Sequence, residues 1–119
     1  IAHRATKTVG DVPTGKANVR IALQSDADVD VQLIDKTTGH EIIAWPNGDL
    51  NGAGEACTTY EGVEYCYSGY NGDQTPNGKG NEWIRVNGTT NRELTMRAYG
   101  YRAGNALVEY SWGDETAGQ

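Results

Sequence analysis

In ANVRIALQ, residues 17–24, Val19, Ile21 and Leu23 fall on every second position, with Asn18, Arg20, Ala22 and Gln24 between and beyond them. Side chains alternate across a β-strand, so this period puts one face in a core and the other in water. The same period returns in DVDVQL, where Val29, Val31 and Leu33 oppose Asp28, Asp30 and Gln32. In ELTMRAY, Leu94, Met96 and Ala98 oppose Thr95, Arg97 and Tyr99. No stretch sustains the i, i+3, i+4, i+7 spacing of an amphipathic helix. One-sided strands must bury their apolar face against a second layer, which restricts the chain to antiparallel sheets packed face to face.

Turn chemistry divides the strands. QSDAD is expected to join the first two as a hairpin, and RAGN at 102–105 to do the same between ELTMRAYGY and ALVEYSW. DKTTGHE at 35–41 reads as a turn into a short strand, IIAW; EWIRV at 82–86 is a further strand, and Thr6 to Val9 an opening one. Seven or eight short strands at this spacing predict an all-β, jelly-roll-like sandwich occupying residues 1–112 as one domain, with 113–119 a tail or linker. At least two of Trp45, Trp83 and Trp112 are expected in its core.

The stretch 46–80 breaks the spacing. It is rich in glycine and holds two of the three prolines, both cysteines and four tyrosines, and reads as one long loop, functional or internally braced. Within it, YEGVEY is expected to turn at Glu61–Gly62 and bring Cys57 and Cys66 together. A bridge there would stabilise by up to about 2–3 kcal/mol; two free thiols are the other reading. With no ligand spacing from His3 or His40, the pair makes a poor zinc site.

Asn47, Asp49 and Asn51, followed by Gly52, set oxygen side chains on alternate positions, as a calcium loop does; Glu55 could complete the set, since Thr58 stands where a bidentate Glu belongs. Asn71-Gly72-Asp73 repeats the opening of the pattern. Asp26, Asp28 and Asp30 form a second acidic cluster. The competing reading is a set of solvated turns, because Asn-Gly and Gly-Asp are ordinary turn vocabulary.

The net charge is −6, and the excess is concentrated between Asp26 and Glu82, with eleven acidic and two basic residues. That segment would repel a phosphate backbone, which argues against nucleic acid as a partner. No run is long enough to insert in a membrane as a helix. Beginning at Ile1, the chain is expected to be an excised module or a processed product.

VPTGKANVRIALQSDADVDVQLID resembles the first half of the bacterial pre-peptidase C-terminal domain, which reads as Pro-x-Gly, an alternating strand, then an Asp-Ala-Asp strand start. RELTMRAYGYRAGNALVEYSW resembles its closing hairpin. Asp30 departs from the apolar residue usual in the family, and 46–80 is longer than its usual connection. The resemblance implies a small sandwich appended to a secreted hydrolase, with a calcium role at Asp26 and Asp28 and relatives that bind collagen or insoluble polysaccharide.

Catalysis lacks a constellation: there is no Gly-x-Ser-x-Gly, no His-Glu-x-x-His and no phosphate loop. A binding role has one. Arg97, Tyr99 and Tyr101 are expected to line an outward face, joined by Tyr70 and also Tyr60, Tyr65 and Tyr67, as a platform for sugar or peptide rings. The expected protein is a non-catalytic accessory module, secreted or on the cell surface, contacting a polysaccharide or matrix protein and carried by a hydrolase or adhesin polypeptide. A structural spacer is the alternative.

Overall fold

The computed structural model of the 119-residue chain describes residues 4–25, 29–45, 47–50, 55–68, 81–100 and 106–113. These form nine strands and, among the described residues, no helix: β1 Thr6–Val12, β2 Ala17–Ser25, β3 Val29–Asp35, β4 Glu41–Ile43, β5 Glu55–Tyr60, β6 Val63–Ser68, β7 Asn81–Asn87, β8 Leu94–Gly100 and β9 Ala106–Gly113. Two antiparallel sheets result, one of four strands ordered β1-β8-β3-β4 and one of five ordered β5-β6-β7-β2-β9.

The chain is therefore an all-β sandwich, as alternation predicts. Val19, Ile21 and Leu23 of β2 and Leu94, Met96 and Ala98 of β8 are all buried in one core with Ile84, Val86, Tyr65 and Tyr67. Arg20 is exposed and Arg97 half-buried on the opposite faces. Burying such side chains contributes roughly 1.5–3 kcal/mol each, which commits the register of every strand.

Three expectations about the strands need correction. β2 and β3 are not a hairpin; they lie in different sheets, as do β8 and β9. Periodicity specifies which way a side chain points, and a short turn can join neighbours in one layer or carry the chain across to the other. β3 is buried along its whole length, Asp30 and Gln32 included. It lies inside its sheet between β8 and β4, and the turn after β4 brings the Trp45 carbonyl to accept from Gln32 Nε2 at 3.2 Å.

Third, the stretch 46–80 is not one loop. It holds β5 and β6, paired from Glu55↔Ser68 to Tyr60↔Val63, which raises the strand number to nine. The turn at Glu61–Gly62 is as expected, and both residues have positive φ, 50° and 78°. Tyr65 and Tyr67 are thereby core residues, not surface ones. Cys57 and Cys66 are direct partners in this hairpin and form a disulfide. Of the tryptophans, Trp112 packs against the core, Trp83 is half-buried and Trp45 is 37% exposed, so fewer are core than expected.

Candidate functional site

Directly paired residues of an antiparallel sheet share a face, so register lays out the outer surface of the five-stranded sheet row by row. One row runs Glu55, Ser68, Trp83, Ala22, Glu109 across β5, β6, β7, β2 and β9. The next runs Cys57, Cys66, Arg85, Arg20, Ser111. Over these rows lies an open groove of about 640 Å³, lined by Arg20, Ala22, Glu55, Trp83, Arg85 and Glu109 among others. That volume is on the scale of small-molecule sites.

Trp83 stands in the middle of its row. The Arg85 guanidinium lies over its ring, 4.5 Å from the centroid, and Arg85 Nη2 reaches Glu55 Oε1 at 3.6 Å. Arg20 is exposed and, among the described residues, has no ion pair or hydrogen bond. An aromatic ring with charged donors and acceptors on both sides suits a ligand that has an apolar face and a hydroxyl-bearing edge. The disulfide sits beside Arg85, on the same face.

The outward set of EWIRV, Trp83 and Arg85, was readable from alternation, since Ile84 and Val86 take the inward positions. That Arg20 lies beside them was not, because no local signal pairs β2 with β7.

The platform expected on the other sheet is only partly described. Arg97 and Tyr99 do share the outer face of the four-stranded sheet, but Arg97 Nη2 is held by Glu41 Oε2 at 3.3 Å, and Arg4 Nη1 donates to the Tyr99 hydroxyl at 3.4 Å. Tyr70 and Tyr101 lie outside the described residues.

So do Asp26, Asp28 and Asn51 of the expected calcium ligands. Asn47 is exposed and its N–H donates to the Ala44 carbonyl at 2.7 Å. Asp49 accepts from or donates to His40 Nε2 at 2.8 Å, and Glu55 faces Arg85. Asn47 to Leu50 fold back on β4, with the Asp49 and Leu50 N–H groups donating to the Glu41 and Ile42 carbonyls. Gly48 is required there, because a Cβ would collide with the Ala44 backbone nitrogen. Among the described residues, the His, Cys, Asp and Glu side chains that could meet at one ion are Cys57, Glu64 and Cys66, whose ligand atoms lie within 4.8 Å. There the two sulfurs are bonded to each other.

A polar cluster ties the β5–β6 hairpin to the opposite sheet. Asp35, fully buried at the end of β3, accepts from the Tyr60 hydroxyl at 2.5 Å, Arg92 Nε at 2.8 Å and the Thr37 and Thr38 N–H groups. Burial alone would raise its carboxyl, but these donors outweigh it and hold the pKa at about 2. The His40 ring stacks on Tyr60 at 4.6 Å. Thr38 Oγ1 accepts the His40 backbone N–H and contacts the Tyr60 hydroxyl, so the His40–Asp49 pair carries no activated hydroxyl among the described residues.

No known protein-family model matches the chain, and no curated protein matches it in sequence. No helix among the described residues is long and apolar enough to cross a membrane.

Proposed function

We propose that this sandwich is a non-catalytic binding module of a secreted or cell-surface protein, and that it holds a stretch of extracellular polysaccharide in the groove across its five-stranded sheet. The observation that carries this reading is Trp83 at the centre of an open groove, with Arg85 over its ring and Arg20, Glu55 and Glu109 around it. A sugar ring offers its C–H face to an indole and its hydroxyls to such flanking groups. The disulfide supports an oxidising, extracellular setting. The resemblance to the pre-peptidase C-terminal domain supports the same setting and a parent hydrolase, and keeps calcium as a possible stabiliser through the acidic turns.

The test is a titration of the isolated chain with soluble oligosaccharides, alongside a collagen-like peptide. Trp83→Ala is expected to weaken the best ligand at least tenfold, or about 1.4 kcal/mol. Arg20→Ala should also weaken it while leaving the melting temperature unchanged, because Arg20 is exposed and unpaired among the described residues. A chain that binds none of them would favour the spacer reading. Binding of the peptide alone, insensitive to Trp83→Ala, would move the site off this groove.

A further inference from the structure

Glu82 is a carboxyl enclosed between the layers. It lies on the inward face of β7 with Ile84 and Val86 and is 2% exposed. Its Oε1 accepts the Val31 N–H and the Tyr67 hydroxyl, each at 2.9 Å. Its Oε2 is buried and receives no donor. The side chain in contact with it is another carboxyl, that of Asp30, itself 8% exposed. Two ionised carboxylates are acceptors only, and in a dry setting they repel with nothing to hold them together.

We propose that Asp30 and Glu82 share one proton and form a pH-sensitive latch between the two sheets, closed while the pair keeps its proton and forced apart when both carboxyls ionise. The contact spans the sandwich: Asp30 and Val31 belong to β3 of the four-stranded sheet, Glu82 and Tyr67 to β7 and β6 of the other. β4 pairs with β3 only at Leu33 and Ile34, so the Val31 N–H finds its acceptor in the opposite layer. Around the pair, β2 presents Leu23 as the register partner of Glu82, β6 presents Tyr67, and β8 presents Tyr99 as the partner of Asp30. Arg4 reaches that neighbourhood through the Tyr99 hydroxyl. Among the described residues no ion pair reaches Glu82 itself.

Burial first, then the neighbouring Asp30, pushes the Glu82 carboxyl well above the usual carboxylate range, and the Val31 N–H and Tyr67 hydroxyl pull it back only in part. A carboxyl raised on folding stabilises fully below its unfolded pKa of about 4.3, and that stabilisation is lost as pH rises through the folded value. The latch therefore weakens toward alkaline pH.

The experiment is thermal unfolding of the whole chain, with chelator, from about pH 4 to about pH 9. The unmodified chain should lose melting temperature across the upper part of that range. Glu82→Gln should flatten the loss and melt above the unmodified chain at the alkaline end, since a glutamine keeps the Oε1 acceptor and donates to Asp30 as the protonated acid does. Asp30→Asn should flatten it as well. If Glu82→Gln does not fold, Asp30→Asn and the side-chain carboxyl resonances of the unmodified chain decide, one carboxyl remaining protonated well above pH 4. The proposal is overturned if both carboxyls are ionised at about pH 5, or if the variants follow the unmodified chain at every pH. It also falls if added calcium restores the alkaline melt of the unmodified chain but not of Glu82→Gln, which would make the pair a cation site.

Discussion

Asp35 and Glu82 are both enclosed carboxyls, yet they titrate in opposite directions because one has donors and the other has a rival. Asp35 receives two side-chain and two backbone donors; its depressed pKa of about 2 means it is ionised in the fold. Its stabilisation is complete above the unfolded value of about 3.9 and is lost as pH falls toward 2. We expect about 1–2 kcal/mol to disappear in that window, discounted for the partly solvated Arg92. Urea unfolding at mildly and strongly acidic pH should show this loss, and Asp35→Asn should show little of it because the variant is already destabilised at neutrality. Half of this site is legible in DKTTG: an Asp accepting from the N–H groups two and three residues on is turn chemistry. The Tyr60 and Arg92 contacts are not, since they join positions 25 and 57 residues away.

Among the elements, the β5–β6 hairpin was the hardest to read. Its Glu-Gly turn and flanking cysteines are visible in the sequence, but glycine and proline around them make the whole stretch look irregular. Membership of the five-stranded sheet depends on β6 pairing with β7, a contact that bridges a gap in the described chain. The disulfide closes a hairpin whose register is already held by backbone pairing and by the buried Tyr65 and Tyr67. Its contribution should therefore fall below the ceiling of about 3 kcal/mol for a loop of this length. Replacing Cys57 and Cys66 by serine is expected to cost about 1–2 kcal/mol in a chemical denaturation while leaving the β-type circular dichroism intact. Loss of that spectrum would mean the covalent link, and not strand pairing, sets the hairpin. For β2 and β8 the opposite holds: alternation alone assigned every inward residue, because one apolar face admits one registration.

For the whole molecule, two-layer architecture follows from alternation, whereas the order of strands within each layer does not, because partner choice depends on contacts distant in sequence. This is why the groove escaped a reading that did identify Trp83 as a strand residue and Arg20 as outward-facing. The groove also has a measurable extent. Glu55 and Glu109 end the row centred on Trp83, and between β5 and β9 lie four interstrand steps, about 19 Å in all. Those two carboxylates act as the end stops of a ruler laid at right angles to the strands. Oligomers of increasing length should gain affinity until they reach from one stop to the other and then level off, a plateau that a series of defined fragments would reveal. A ligand aligned along the strands would ignore the ruler, and its affinity would not change slope at that length.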